Sequence, residues 1–410
     1  MKLLSFLGLI DRYQDVVYTF KDKTCQTMFS TIAACEFLDI DDVVIFLTPE
    51  TKQRTYPVFI EKMPPAIPVQ AVDIPLGENE SQLWALFSAI TAQVNPGEQV
   101  AFDITNGLRL FPLLGVLAAA FINAARSVSV RSVLYGAYEV GRLHGEGTVP
   151  MFDLSPMISL FDWTLAAERF TQFGDSEQLA DLLETQKSII AKNSPDNAQR
   201  LQELSAIGRL ANTMQAVSQA LDLIRPTEIF TASQQLRFNL DQARPVLETT
   251  PKTQPFVLLL DQIQHSYDPL SGFDDQPAAM LEKQYRLVTW YLQHKYWMHT
   301  VTLARELMVN WFLYQSGVED WLDKAEREKI EKQINHDASE LRFSKKHGRP
   351  FSSTGFGEIP TIEAVLDTWN RLTQIRNDID HAGHRNNPIS AERLMRNISA
   401  VVGQIGEVLF

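Results

Sequence analysis

The chain has 410 residues, of which 45% are apolar and 21% are charged, and its formal net charge is −13. This length exceeds what one ordinary core holds, so at least two domains are expected, and the negative charge argues against a general affinity for nucleic-acid phosphates. No apolar run reaches the ~20 residues of a membrane span, and the opening Met1–Gly8 lacks the long apolar core of a secretory signal. With only two cysteines, these features predict a cytoplasmic protein that does not contact a membrane.

The first ~150 residues alternate short apolar segments with segments of helical character. Nearly continuous apolar strands separated by helices are typical of a parallel sheet that is covered on both faces. The sequence therefore predicts an α/β fold, a Rossmann-like doubly wound parallel sheet. The predicted strands are Leu3–Leu7, Val43–Leu47, Val69–Ile74, Val100–Asp103 and Val128–Tyr135.

After about residue 155 no further strand is predicted, and the remainder indicates an all-α region. A linker rather than a strand is expected at Met151–Pro156, and Pro226 and Pro245 are expected to interrupt helices. Three domains are predicted, with bounds 1–155, 156–275 and 276–410. The predicted helical runs of the last domain are Pro277–Tyr314, Glu319–Asn335, Thr361–Ala382 and Ser390–Val408, with a Gly/Ser/Lys-rich loop between Arg342 and Pro360.

A first candidate site follows the fourth predicted strand, at the segment Asp103–Arg109. Ligands of open α/β sheets bind at the carboxyl ends of the strands, close to exposed N–H groups of a helix N-terminus. Thr105, Asn106 and Gly107 offer donors there, and Arg109 offers a positive charge for phosphate. Residues that follow the other strands are expected at the same edge of the sheet: Gly8, Thr48 and Gly136.

The alternative for this segment is purely structural: Asp103 caps a helix and Gly107 permits a tight turn. The chain has no G-x-G-x-x-G after the first strand and no P-loop lysine, so neither a dinucleotide cofactor nor ATP hydrolysis is indicated. The segment suits a sizeable anionic ligand, without a dedicated metal site.

A second candidate site lies near the end of the chain, where Arg376, Asn377 and His381 fall in one helical pattern. An arginine can hold a scissile phosphate and stabilise its charge, and a histidine can transfer protons near neutral pH. Arg376 and His381 are about 140° apart on an ideal helix, so a single chain need not close the site alone. The alternative is that Arg376 pairs with Asp380 while His381 only ends the helix.

The N-terminal region resembles the CARF (CRISPR-associated Rossmann-fold) domain of the DxTHG-motif CRISPR-associated proteins. Asn106 stands where that motif usually has His, and Asn cannot titrate near neutral pH. Any His-dependent chemistry in this domain is therefore doubtful, whereas ligand binding can survive. The matching segments are Leu4–Gly8, Phe46–Glu50, Ile74–Glu78, Asp103–Arg109, Tyr135–Ala137, Phe152–Pro156 and Phe161–Thr164.

The segment Arg376–His381 resembles the R-x4–6-H motif of HEPN ribonuclease domains, which are helical and pair as dimers. Together the two resemblances imply a type III CRISPR ancillary endoribonuclease of antiviral defence. Such an enzyme is activated by cyclic oligoadenylate, cuts single-stranded RNA without a metal or other cofactor, and works as a homodimer or higher homo-oligomer. Family analogy favours cyclic tetra-adenylate over cyclic hexa-adenylate as the activator.

Two other functions remain open on the sequence. The protein could be a non-catalytic nucleotide sensor that acts through a protein partner, or a ring nuclease that degrades its own cyclic ligand. Both Arg376 and His381 are present, which favours catalysis over the first, and Asn106 weakens the second. A basic segment supplies candidate RNA contacts: Lys345, Lys346, His347, Arg349 and Arg385.

Overall fold

The computed structural model of the protein describes residues 1–144, 147–192, 198–250, 253–272, 276–384 and 388–410. The chain divides into two compact units, Met1–Asp162 and Trp163–Phe410. The sequence placed its first boundary at residue 155, which stays a prediction. The further division at residue 276 stays a prediction.

The first unit is built around one mixed sheet of eight strands. The strands are β1 Lys2–Phe6, β2 Val16–Phe20, β3 Lys23–Thr27, β4 Asp42–Leu47, β5 Val69–Asp73, β6 Gln99–Asp103, β7 Ser129–Gly136 and β8 Thr148–Asp153. Their order across the sheet is β3-β2-β8-β7-β6-β1-β4-β5. The α/β fold class is therefore confirmed.

The five predicted strands lie side by side and pair parallel, in the order β5-β4-β1-β6-β7, and β2 and β8 form a further parallel pair. Numbered among themselves, the five have the order 3-2-1-4-5, which is that of a Rossmann-like sheet. The sheet also continues where the sequence predicted no strand. β8 pairs antiparallel with β7, and β2 and β3 form an antiparallel hairpin. The expected linker at Met151–Pro156 is thus partly strand.

Side chains alternate between the two faces of this sheet, as in any strand. On β1, Leu4 and Phe6 join one apolar core with the helices that follow β5 and β6. Leu3 and Leu7 join a second core on the opposite face, together with Phe29 and the helix that follows β3. Both faces are covered, which is why most side chains of β1, β4 and β6 are apolar. The helices of this unit are α1 Ser30–Phe37, α2 Pro49–Arg54, α3 Tyr56–Lys62, α4 Glu80–Thr91, α5 Leu110–Arg126 and α6 Tyr138–His144, and α7 begins in it.

The described part of the second unit is helical, and one apolar core runs through it from Trp163 to Ile405. Its helices are α7 Ser155–Phe173, α8 Glu177–Lys192, α9 Ala198–Asp222, α10 Pro226–Thr249, α11 Gln254–Val257, α12 Leu260–Tyr267, α13 Pro277–Gln293, α14 Trp297–Gln315, α15 Lys324–His347, α16 Ile362–Asp380 and α17 Ala391–Leu409. No helix of the described residues is both long enough and apolar enough to span a bilayer.

Three predictions about helix ends were wrong. The run predicted at Glu319–Asn335 is α15, which begins at Lys324 and extends to His347. Pro245 lies inside α10 rather than at its end. The expected loop from Arg342 is still helix as far as His347, and α15 ends at Gly348 with φ +63°. A run of charged side chains resembles a loop in composition, but it contains no residue that stops a helix before this glycine.

Candidate functional site

The first candidate site lies where β1 and β6 run side by side, with Ser5 opposite Asp103. β1 has β4 on its other side, so the chain order reverses between β1 and β6. Such a reversal opens a crevice at the carboxyl ends of the strands, because the connections leave in opposite directions. We call this place the carboxyl edge of the sheet, and the segment Asp103–Arg109 enters it.

Asp103 is fully buried at this edge, and four donors surround its carboxylate. Oδ2 accepts from the hydroxyls of Ser5 at 2.9 Å, Ser30 at 2.7 Å and Thr31 at 3.2 Å. Oδ1 accepts from the backbone N–H of Thr105 at 3.1 Å. These bonds replace the water that burial removes, which a buried carboxylate requires. The sequence identified Asp103 but not Ser30 or Thr31, which come from α1.

Asn106 is joined to this network through its side-chain amide. Its Nδ2 lies 2.7 Å from Ser30 Oγ. The amide is thereby held against the interior of the unit, although Asn106 itself is only half buried.

The loops that follow β1 and β6 approach each other closely at the carboxyl edge. A Cβ on Gly8 would lie 3.4 Å from the backbone nitrogen of Gly107. Gly107 has φ +106°, and a Cβ there would lie 3.0 Å from Phe111 and 3.3 Å from Phe6. A larger residue at Gly107 would be strained both by its backbone and by its neighbours.

Three of the predicted ligand-binding residues already use their polar groups within the fold. The N–H of Gly8 donates to the hydroxyl of Tyr13 at 2.8 Å, and the N–H of buried Gly136 donates to Thr105 Oγ1 at 2.8 Å. Buried Thr48 caps α2 and accepts from the N–H of Thr51 at 3.3 Å. These three residues therefore shape the carboxyl edge rather than offering it free donors.

Arg109 is exposed immediately before α5, where the first N–H groups of that helix begin. An open cleft lies farther along the same edge, at the ends of β4 and β5, and Lys52 and Asp73 are among its lining residues. They form an ion pair at 2.7 Å. The exposed cations at the carboxyl edge thus include Arg109 and Lys52, of which the sequence predicted only Arg109.

The charge of Asp103 also acts on its neighbours. Burial raises the pKa of the Cys35 thiol to about 12, and the nearby negative charge of Asp103 adds to this effect. Burial likewise raises the pKa of Tyr18, whose hydroxyl is hydrogen-bonded to that of Tyr138. These groups stay protonated near neutral pH. The interior behind the edge therefore holds hydroxyl and thiol groups around one carboxylate.

The second candidate site lies at the C-terminal end of α16. Arg376 and Asn377 are exposed in its last turn, and His381 is exposed directly after it. The turn closes when Ala382 adopts φ +49° and Gly383 adopts φ +71°. The N–H of Gly383 then donates to the carbonyl of Asp378 at 3.0 Å. A positive φ is easily adopted by glycine, which explains why the helix stops here.

Arg376 is paired within its own helix, as one sequence interpretation expected. Its Nε lies 3.1 Å from Asp380 Oδ2, and both side chains are close to half exposed. Exposed pairs of this kind contribute only about 0.2–1 kcal/mol. A phosphate that offers two acceptor oxygens could therefore displace Asp380 at little cost.

The predicted basic segment does not lie beside this motif along α16. Lys345 contacts Asp367, and His381 lies fourteen positions after Asp367, about 21 Å along the helix at 1.5 Å per residue. Lys346, His347 and Arg349 are exposed near the end of α15, and Arg349 lies over the ring of Phe343. Arg385 lies outside the described residues.

Comparison with known proteins gives one match over part of the sequence and one distant structural similarity. Residues 159–271 match the family model described as CRISPR-associated protein MJ1674, second domain. The chain is 30% identical over 122 residues to CRISPR-associated protein MJ1674 of Methanocaldococcus jannaschii. This segment is 29% of the chain and only 19% of that relative. It falls on the helices from α7 onward and includes neither candidate site.

The solved structure of Enterococcus italicus Csm6 bound to cyclic hexa-2'-fluoro-hexa-dAMP is similar at 9% identity and a TM-score of 0.43. The alignment covers 100% of this chain and 93% of that one. The partial match in sequence, together with an α/β unit followed by a helical unit, is what the resemblance to CARF–HEPN proteins predicts. Residues 159–271 are thus similar to the second domain of a CRISPR-associated protein, which agrees with the CRISPR association predicted from the sequence.

Proposed function

We propose that the protein is a single-stranded endoribonuclease of CRISPR antiviral defence that a cyclic oligoadenylate activates. The observation that carries the proposal is the pair Arg376 and His381, exposed together at the end of α16. Arginine, which can stabilise the phosphate, and imidazole, which can transfer protons, are two kinds of group that can catalyse RNA cleavage by the substrate's own 2′-OH. The carboxyl edge of the first unit is the proposed sensor.

The chemistry is transfer of the phosphodiester from one oxygen to another. The 2′-oxygen forms a bond to phosphorus as the bond to the 5′-oxygen breaks, giving a 2′,3′-cyclic phosphate and a 5′-OH. One imidazole accepts the 2′-OH proton, and a second donates a proton to the departing oxygen. Arg376 binds the non-bridging oxygens and stabilises their charge, and Asn377 is placed to orient the phosphate.

The two imidazoles are proposed to be His381 of two copies of the chain, because each copy carries only one His381. A surface of the first unit suits pairing of two copies. α5 is apolar on nearly all sides, since it carries one polar side chain before its last residue. A helix of this kind is normally buried on all sides. On the outward side of α5, Leu113, Leu117 and Phe121 are exposed. The exposed Trp84 of α4 extends this apolar surface, because its ring contacts Phe87, whose ring contacts Phe121.

Sedimentation tests the pairing. The wild type should have the mass of a dimer at micromolar concentration, and Leu117→Glu should shift it towards the monomer, because a charge on this surface opposes its burial. Leu143→Glu, a similar change at an exposed leucine of α6, serves as the control. A monomer that cleaves RNA as well as the dimer would contradict the composite site.

The activator is proposed to bind at the carboxyl edge, where Thr105, Asn106 and Gly107 are partly buried and Arg109 is exposed. Cyclic tetra-adenylate is favoured over cyclic hexa-adenylate by family analogy. The ligand activates if it binds the active arrangement of the dimer better than the resting one. A coupling of ~1–3 kcal/mol corresponds to a stimulation of ~5–150-fold.

A cleavage assay tests the whole proposal. Purified protein is mixed with single-stranded RNA in EDTA, with and without cyclic tetra-adenylate or cyclic hexa-adenylate. Cleavage should rise with the ligand and survive EDTA, and the products should carry 5′-OH ends. Products with 5′-phosphate, or activity lost in EDTA, would indicate a metal enzyme instead.

A second candidate function is a non-catalytic sensor, which the pairing of Arg376 with Asp380 favours. In that case the protein binds the cyclic ligand but cleaves no RNA with or without it. A ring nuclease would instead linearise the bound ligand, which chromatography of the ligand after incubation detects.

A further inference from the structure

We propose that Ser30 is a positioning residue that turns the side-chain carbonyl of Asn106 towards the ligand as a hydrogen-bond acceptor. The inference rests on the proposed sensor function of the carboxyl edge. It assigns a role to Ser30, which lies on α1, far in sequence from the segment Asp103–Arg109. It also states which polar group of Asn106 the ligand meets.

The argument begins with the protons of the network. An ionised carboxylate only accepts hydrogen bonds. Ser30 has one hydroxyl proton and lies 2.7 Å from Asp103 Oδ2, the shortest hydrogen bond of that carboxylate. The proton of Ser30 is therefore committed to Asp103, and its oxygen can only accept from other groups.

Asn106 must then present a donor to Ser30. The side-chain group of Asn106 that lies 2.7 Å from Ser30 Oγ has to be the amide nitrogen, because the carbonyl oxygen would face another acceptor there. The orientation of the amide, which in general is ambiguous, is thus fixed by the buried charge of Asp103. Asp103 thus determines, through Ser30, which way the side-chain amide of Asn106 faces.

The remaining groups of Asn106 define what it can recognise. Ser30 is the one hydrogen-bond partner of this side chain within the described part of the chain. Oδ1 is thus left to accept a bond at the partly exposed side of the residue. The ligand group that it recognises is a donor. In a cyclic adenylate this is either a ribose 2′-OH or the exocyclic amine of adenine.

Thr31 provides a matched control. It also donates to Asp103, at 3.2 Å, and it contacts Ser5 at 2.8 Å, but it has no hydrogen bond with Asn106. Thr31→Val and Ser30→Ala each remove one buried hydroxyl from the same carboxylate. Only Ser30→Ala should release the amide of Asn106.

The first experiment needs no ligand. In protein labelled with ¹⁵N-asparagine, the side-chain amide protons of Asn106, assigned by their loss in Asn106→Ala, should exchange slowly with solvent. They should exchange faster in Ser30→Ala and remain slow in Thr31→Val. Equal exchange in Ser30→Ala and wild type would overturn the inference, whatever the protein binds.

The second experiment measures affinity for cyclic tetra-adenylate by calorimetry. Loss of one neutral hydrogen bond corresponds to roughly 3–10-fold weaker binding, and this is expected for Ser30→Ala but not for Thr31→Val. Ser30→Ala should add little further loss to Asn106→Ala, because both changes remove the same contact. If the two losses multiply fully, Ser30 does not act through Asn106.

Two analogues identify the donor. Replacing every 2′-OH by fluorine removes the hydroxyl donor, and replacing adenine by hypoxanthine removes the exocyclic amine. The analogue that lacks the recognised donor should bind equally to wild type and Asn106→Ala. If Asn106→Ala weakens both analogues as much as the parent ligand, Oδ1 is not the acceptor. If no cyclic adenylate binds although the exchange experiment succeeds, the sensor function fails and the role of Oδ1 towards the ligand falls with it.

Discussion

The two candidate sites are built in opposite ways. At the carboxyl edge, a fully buried carboxylate is held by four donors from β1, α1 and the segment after β6. At the end of α16, Arg376 and His381 are exposed, and the arginine makes a surface pair with a neighbour in its own helix. The first site is preorganised within one chain. In the second site, Arg376 and His381 are present, but few contacts hold their side chains in place.

This contrast suits a switch. A preorganised sensor loses little side-chain entropy when it binds its ligand. Under the proposed function, the loosely held pair Arg376 and His381 gains its geometry only when a second copy and the RNA bind, so it is poorly active by itself. Each prediction below tests one side of this comparison.

The largest effect is expected for His381→Ala. If His381 transfers protons, ligand-stimulated cleavage should fall by ~10²–10⁴-fold, while affinity for cyclic tetra-adenylate stays unchanged. His384, exposed three residues later, gives the matched control His384→Ala, which should keep most activity. Equal losses in the two variants would mean that His381 has no specific role.

Asp103→Ala should destabilise the first unit by on the order of 3 kcal/mol, because several buried donors lose their acceptor. Hydrogen exchange of the β1 and β6 amides measures this locally, without assuming that both units unfold together. Asp73→Ala removes an exposed carboxylate, whose side chain is 67% accessible, and should cost less than ~1 kcal/mol. Similar exchange in both variants would show that the edge is not preorganised.

Arg109→Ala should raise the cyclic tetra-adenylate concentration needed for half-maximal stimulation by roughly 10-fold, as expected for one charge-assisted contact to phosphate. Maximal cleavage at saturating ligand should be retained, since the catalytic groups lie in the other unit. Arg131→Ala changes an exposed arginine within β7 and is the control. A variant Arg109→Ala that responds like wild type would remove this residue from the sensor.

The smallest effect is expected for Asp380→Asn. The exposed pair with Arg376 contributes less than ~1 kcal/mol, so the thermal unfolding of the second unit should hardly change. Cleavage should be equal or slightly higher, because Arg376 no longer exchanges one partner for another. A strong loss of cleavage would instead indicate that Asp380 itself takes part in the reaction.

Several features of the fold followed from the sequence. The five predicted strands are rich in apolar residues, and this pattern placed them to within about a residue. The last two helices were also predicted closely, since α16 ends where Gly383 permits a positive φ and α17 begins at the capping residue Ser390. Where local chemistry alone decides an element, the sequence is sufficient.

The missed strands lacked such local signals. The hairpin of β2 and β3 turns at Lys21 and Asp22, without the Gly or Asn that usually marks a two-residue turn, although Lys21 adopts φ +52°. β8 contains Pro150, which argues against a strand in sequence. Its pairing with β2 and β7 compensates for this, and that pairing exists only in the folded sheet.

The sequence by itself determined which chemical groups the protein has: Asp103 to Arg109 after a strand, and Arg376 with His381 at a helix end. The tertiary structure alone decided how these groups are held. It placed Ser30 and Thr31 against Asp103 across more than seventy residues of chain. It also paired Arg376 with Asp380, a contact that their spacing in the sequence made possible but did not require. Motifs record local chemistry, whereas burial and long-range hydrogen bonds arise only when distant segments pack together.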